Sequence, residues 1–461
     1  MKKSSAHFPV PESVARKTTW MIVPVILLMY FICYLDRVNI SYAALQLNAD
    51  IGLSDAAYGF GAGIFFVAYV AFQVPANMML ARFGPRRWLG CILGAWGLLA
   101  MLMAAITAPW HFFALRFLLG MAEAGFFPAM IYYLALWFPA ERRGRITAIA
   151  IAAAPLSGLI GGPLSTWLMS SAHGLFGLRG WQSMFVIEAL PAVLLGIWCF
   201  VKLPERPAAV AWLTAEEKTW LQGTLDAEAE EIQGARRSKG VLRTILSPLV
   251  LGLGLVYLAL EFGEYALAFF LPKIIERFDT DMGGELSVSQ IGLVTAIPSL
   301  AGVVAMVLWG RHSDRTRERT WHIAGPAMVG AVAIVAAGYT GSLVAAVLAF
   351  SVTAAGIFAA VPIFWQLPLR YLTGTAAAVS IAMINAMGNF SGLLGPSITG
   401  VLHDATGSYR AGLWVMGGFL VLAAAGALAV SRMAPVPGHQ APSQSSQTGQ
   451  ADNASAASAT S

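Results

Sequence analysis

Arg116 and Glu123 stand seven residues apart in R-F-L-L-G-M-A-E-A-G-F-F-P, 116–128. That spacing is nearly two helical turns, so both side chains fall on one face of a helix. A second pair, Asp36-Arg37, follows Tyr34 in another apolar run. A charge held in hydrocarbon costs roughly 2.5–3.5 kcal/mol on insertion scales, and is kept by default for a pathway or a binding site. Arginine stays charged and offers carboxylates a planar fork of donors. A carboxyl group in a dry chamber is pushed toward protonation by burial and away from it by a nearby arginine. Two guanidiniums and two carboxyls can therefore bind an anion and exchange protons. Asp36 and Arg37 point about 100° apart and cannot form an ideal pair with each other. Arg37 should seek a substrate carboxylate, and Asp36 a proton or a polar neighbour. The competing reading is an ion-pair network that locks the first span to the fourth.

The elements that must hold these groups are membrane spans. Of 461 residues, 57% are hydrophobic and 11% charged, against about 25% charged in soluble chains. Apolar runs of about 20 residues fall at 20–40, 57–80, 88–108, 111–138, 146–169 and 181–201, then at 248–271, 289–309, 321–339, 342–366, 376–399 and 410–431. The expectation is an all-α membrane protein with twelve transmembrane helices. Its parts are an N-terminal segment 1–19, a first six-helix bundle 20–201, a connector 202–247, a second bundle 248–431 and a disordered tail 432–461. The polar start and span-length first apolar run argue for an uncleaved inner-membrane protein. Cys33, Cys91 and Cys199 sit in apolar runs with no disulfide or zinc spacing.

Most of the 29 Lys and Arg residues cluster in alternate loops, while the opposite loops hold only Arg179, Lys273, Arg277 and Arg410. The positive-inside rule then puts both termini in the cytoplasm and removes any need for nucleic acid to explain the net charge of +5. The halves also repeat. At a constant offset of 233, Leu53, Ser54, Gly59, Arg82, Arg86 and Trp88 match Leu286, Ser287, Gly292, Arg315, Arg319 and Trp321. S-G-L-I-G at 157–161 matches S-G-L-L-G at 391–395. A parallel repeat implies two bundles facing each other across a central cavity, with substrate near the midplane.

Y-L-D-R-V-N at 34–39, the 116–128 motif, W-F-P-A-E-R-R-G-R at 137–145 and G-R-H-S-D-R at 310–315 together resemble the major facilitator superfamily, and within it the anion:cation symporters. The resemblance covers nearly the whole chain apart from the tail. It implies proton symport, with Asp36 and Glu123 as proton carriers and Arg37 as main anion ligand. It also implies a pocket lined by Tyr34, Tyr69, Trp365 and Asn385. The loop between spans two and three departs from the superfamily pattern: Asn77 replaces its first glycine and Ala81 its acid, whereas the second half keeps Asp314.

Other polar groups lie within spans. Asn389 stands one turn from Asn385, as a pocket residue or as helix glue. Glu261 and Glu264 are i,i+3 neighbours in span seven, where neutral residues are expected from the resemblance. They bias the pocket against highly charged anions, add a proton site, or partner a substrate's cationic group or hydroxyls. Glu188 in span six reads as a helix contact.

The expected activity is proton-coupled uptake of an organic anion by alternating access, with a hydroxylated or aromatic carboxylate such as tartrate as cargo. The expected carrier is a monomer with no cofactor and no metal. The alternatives are a non-transporting membrane sensor on the same scaffold, or a different anion (a sugar acid, a phthalate-like acid) with another coupling ion. No histidine–acid–nucleophile set marks an enzyme.

Overall fold

The computed structural model describes residues 12–151, 153–234, 246–371 and 375–433. The tail beyond Met433, the extreme N-terminus and the Arg236-Arg237 part of the connector lie outside the described residues. Described elements are helical, and sixteen α-helices are named here. The first half contains α1 (Glu12–Ile51), α2 (Asp55–Phe83), α3 (Pro85–Leu102), α4 (Pro109–Glu123), α5 (Phe126–Ala135), α6 (Ala140–Ile151), α7 (Ala153–Ser171) and α8 (Gly180–Lys202). Helix α9 (Ala215–Gly234) lies in the connector. The second half contains α10 (Pro248–Asp281), α11 (Val288–Thr316), α12 (Thr320–Ala337), α13 (Leu343–Phe364), α14 (Gln366–Tyr371), α15 (Thr375–Thr406) and α16 (Arg410–Met433). Among the described residues, ten helices are long and apolar enough to cross a membrane. The stretch α6–α7 and helix α15 complete twelve spans in two six-helix bundles.

Local chemistry sets the helix ends. Ser54 accepts a hydrogen bond from the Ala57 N–H to cap α2, and Ser287 caps α11 in a capping box with Gln290. These serines occupy the same place in the repeat. Gly84 (φ 76°) closes α2, and its repeat partner Arg317 (φ 55°) closes α11. The left-handed turn is thus kept in both halves, at some steric cost in the second. The fourth span is not one continuous helix. It breaks at Ala124-Gly125, directly after Glu123; Pro128 has no N–H to return to the Ala124 carbonyl, which removes one rung of the ladder.

Helix α9 is tied to the first bundle. Lys17 Nζ donates to Glu217 at 2.8 Å, and the Ala140 N–H donates to Glu228 at 2.9 Å. The Lys17 contact and the Thr214 N–H hold the Glu217 carboxyl below its usual range. The chain's first helix therefore starts on the same side as the connector, here termed the termini side.

The bundles meet through α2 against α15, α7 against α11, and α1 against α10. The first two crossings exchange under the repeat. At each, a glycine permits the approach: a Cβ at Gly59 would run into the Pro396 carbonyl oxygen, and one at Gly292 into Thr166 Oγ1 and the Gly162 carbonyl oxygen. Gly59 and Gly292 are themselves repeat partners. Both lie near the starts of α2 and α11, on the side opposite the termini. That far side is also held by charge. Asp55, at the start of α2, forms an ion pair with Lys273, accepts a hydrogen bond from Tyr409 and lies 2.9 Å from His403 Nδ1. Asp404 accepts from the backbone N–H groups of Asp55 and Ala56 at 3.2 and 2.9 Å, so a carboxylate of the second bundle caps a helix of the first.

Overpacking typically costs 1–3 kcal/mol, so Gly59→Leu should open the far side. With native cysteines removed and a cysteine placed at Ser299, far-side thiol labelling should speed up about tenfold. Unchanged labelling would mean that the α2–α15 crossing does not close that side.

Candidate functional site

Helix α1 carries Tyr34, Asp36 and Arg37 to mid-span, and α2 and α4 bring Tyr69, Arg116 and Glu123 beside them. Arg37 Nε donates to Glu123 Oε2 at 2.8 Å, joining the first span to the fourth. Glu123 is wholly buried, whereas the Arg37 side chain keeps 11% of its surface exposed. Cys33 Sγ approaches the same carboxylate oxygen at 3.5 Å, while Glu123 Oε1 is buried without a hydrogen-bond partner.

The two charged pairs of the sequence are thus re-sorted. Arg116, expected beside Glu123, forms no ion pair within 4 Å among the described residues. It donates instead to the Ala62 carbonyl at 3.2 Å, and its buried Nε has no partner. The cause is the rotation of α1, which turns Arg37 toward the end of α4 where Glu123 lies. Both guanidiniums rest on the Phe65 ring, Arg116 at 4.8 Å and Arg37 at 5.4 Å from its centroid. Arg37 also faces the rings of Tyr69 (4.9 Å) and Tyr34 (5.2 Å). Cation–π contacts of this kind are worth about 2 kcal/mol or more once desolvated.

Asp36 points elsewhere. It accepts from Trp96 Nε1 at 3.0 Å and from Asn39 Nδ2 at 3.4 Å. The same Asn39 amide donates to Glu188 Oε2 at 3.1 Å, and Ser165 donates to Glu188 Oε1 at 2.6 Å. A polar chain therefore runs from α3 through α1 to α8 and α7. Glu188 belongs to it, consistent with a contact between helices.

Between the bundles lies a cavity of about 90 Å³. Tyr34, Arg37, Tyr42 and Phe66 line it from the first bundle; Glu264, Tyr265, Ser299 and Phe358 line it from the second. Phe66 and Tyr265 meet across it with centroids 4.5 Å apart. Of the residues singled out in the sequence, Tyr34, Arg37 and Glu264 reach this cavity. Tyr69, Glu123 and Arg116 stand behind Arg37.

Five others do not line it. Trp365 packs edge-on against Tyr257 at 4.8 Å, toward the termini side. Asn389 donates its side-chain amide to the Asn385 backbone carbonyl at 2.9 Å, within its own helix, and Asn385 is not among the residues lining the cavity. Glu261 is buried one turn from Glu264, near Tyr257 and Tyr265. Asp314 pairs at 2.9 Å with Arg319 of its own turn. Tyr42, Phe66, Tyr265 and Ser299 escaped the sequence reading because aromatic and hydroxyl residues are common in any span. The far-side cluster escaped it because Asp55, Lys273, His403 and Tyr409 are far apart in the sequence and meet only when the two bundles pack.

A sequence description of the Major Facilitator Superfamily matches residues 26–392. The "Putative tartrate transporter" of Agrobacterium vitis is 45% identical over 92% of this chain and 96% of that protein. The "Putative metabolite transport protein NicT" of Pseudomonas putida is 41% identical over 88% of this chain and 92% of its own. Among solved structures, the inward open xylose transporter XylE from E. coli superposes with a TM-score of 0.71 at 17% identity, covering 91% of this chain and 97% of that one. With the family model spanning most of its length and these relatives aligned nearly end to end, the chain belongs to the Major Facilitator Superfamily and is a membrane transporter, not an enzyme.

Proposed function

We propose that this transporter imports an organic carboxylate together with protons, by alternating access, across a cell's inner membrane with both termini in the cytoplasm. One observation carries the reading: the only arginine lining the cavity, among the described residues, has its Nε engaged by a wholly buried carboxylate. The relatives' names support an acid such as tartrate as cargo; sugar acids and aromatic acids are the neighbouring choices.

The coupling follows from charge balance. In the empty cavity Arg37 neutralises Glu123. An incoming carboxylate competes for the same guanidinium through its free N–H groups. Glu123 then loses part of its counter-charge in a site too dry to leave it ionised, and takes up a proton. Anion and proton cross together, and release of the anion lets Arg37 reclaim Glu123 and expel the proton. Arg116 adds fixed positive charge behind Phe65. Asp36 serves as a further proton carrier, linked to Glu188 by the Asn39 amide. On this orientation the Asp55 cluster lies on the outer side, and the structure is a state shut to the exterior.

In proteoliposomes, Glu123→Gln should lose pH-gradient-driven accumulation about tenfold or more while counterflow exchange persists. Accumulation equal to that of the unaltered protein, retained when Asp36→Asn is added, would overturn the coupling scheme. Arg37→Lys removes the planar fork and the Nε–H contact with Glu123, and should weaken thermal-shift responses to carboxylates about tenfold or more; an undiminished response would overturn the role of Arg37. Asp55→Asn breaks the buried outer cluster, so it should raise the affinity for cargo added outside and slow turnover several-fold. Unchanged affinity and turnover would remove the cluster from the transport cycle.

A further inference from the structure

The cavity has two chemically opposite ends. Arg37 on α1 and Glu264 on α10 line the same 90 Å³ space from facing bundles. Glu264 is half-buried and has no hydrogen-bond or ion-pair partner among the described residues. The nearby Glu261 adds negative charge to that end and supplies no counter-ion. A carboxylate left in so dry a place asks for a donor or a cation. Between the two ends the walls are rings: Tyr34, Tyr42, Phe66, Tyr265, Phe269 and Phe358. At about 90 Å³ the space is smaller than the cavity of about 150 Å³ that holds a benzene, so a ring enters only as the surrounding side chains give way.

We propose that Glu264 is a specificity-determining residue that takes a hydrogen-bond donor or cationic group at the end of the cargo remote from its carboxylate. This rests on the reading that Arg37 takes the carboxylate. The substrate class is then a small planar aromatic or heteroaromatic monocarboxylate with an amine, ring N–H or hydroxyl across the ring. The charge sum supports it. In the coupling scheme a proton neutralises Glu123 when a carboxylate takes Arg37, so Glu264 is left as the unpaired acid of the cavity, and a cationic group on the cargo gives it a counter-charge. A dicarboxylate would bring its second anionic group beside Glu264, which has no cationic partner among the described residues to pair that group, and this disfavours binding. Tartrate is therefore a poorer ligand than a donor-bearing ring acid of similar size.

Binding is measured on purified full-length protein by thermal shift and calorimetry, with benzoate, 4-(aminomethyl)benzoate, terephthalate and L-tartrate as probes. The expected result is that 4-(aminomethyl)benzoate binds about tenfold or more tighter than benzoate, and that terephthalate and tartrate bind more weakly than benzoate. Glu264→Gln should erase the preference for the amine and lift the handicap of terephthalate, with benzoate still bound; Glu264→Asp should restore part of the preference. If the amine preference is missing, or survives intact in Glu264→Gln, the assignment of Glu264 is overturned while carboxylate binding at Arg37 stands. If Arg37→Gln binds benzoate as well as the unaltered protein does, the anion site itself is misplaced and the inference falls with it.

Discussion

A buried carboxylate that depends on one arginine is the constraint around which the first bundle is arranged. Removing a carboxylate and a guanidinium from water costs several kcal/mol per ion even after relaxation, and that cost is recovered only with close geometry and further contacts. The 2.8 Å contact between Arg37 and Glu123 supplies the geometry. The rings of Phe65, Tyr69 and Tyr34 supply the contacts around the cation. The balance is incomplete by one atom, because Glu123 Oε1 is buried and unpartnered. On the proposed cycle, the charge of Glu123 is tolerated while Arg37 attends to it and becomes costly when Arg37 turns to another anion. Because Arg37 also lines the cavity, the competitor can only come from there.

The packing between bundles explains how such a local event could matter to the whole molecule. Interiors are close-packed and bistable more than they are elastic. At the far side the two bundles touch backbone to backbone, at Gly59 with Pro396 and at Gly292 with Gly162. These crossings exchange under the internal repeat, so one half mirrors the other's contact. The Asp55 cluster adds polar contacts that exist only while those surfaces meet. Separation would strand Asp55 and Lys273 apart and uncover the start of α2 that Asp404 caps. The far side is therefore held by contacts that must be broken together, which suits an all-or-none opening.

Much of this was legible in the chain itself. Hydrophobic run length gave the spans because a bilayer imposes that length on any helix crossing it. The repeat foretold more than symmetry: Ser54 with Ser287, and Gly59 with Gly292, turned out to cap the same helices and to permit the same approaches. The rarity of charge in spans identified Arg37, Arg116, Glu123 and Asp36 as special. What spacing along one helix could not supply was the rotation of that helix against its neighbours. Arg116 and Glu123 share a face of α4, yet it is Arg37, on another helix, that reaches Glu123. Trp365 and Asn389 illustrate the converse: residue types suited to a pocket pack on a ring and donate to the helix's own carbonyl.

Rotation also separates two acids that look alike in sequence. Glu123 has one cationic partner and a direct line to the cavity through it. Asp36 is satisfied by neutral donors, the Trp96 indole and the Asn39 amide, and faces α3 and α8. An anion arriving at Arg37 withdraws counter-charge from Glu123 first and touches Asp36 only through the field. Asn39 cannot relay a proton simply by changing tautomer, as histidine can, because its amide donates to both Asp36 and Glu188. It can, however, transmit a preference, since the amide leans toward whichever of the two carboxylates is charged. On the proposed cycle, Glu123 then answers to the cargo, and the Asp36–Asn39–Glu188 chain sets how readily the first bundle accepts a second proton.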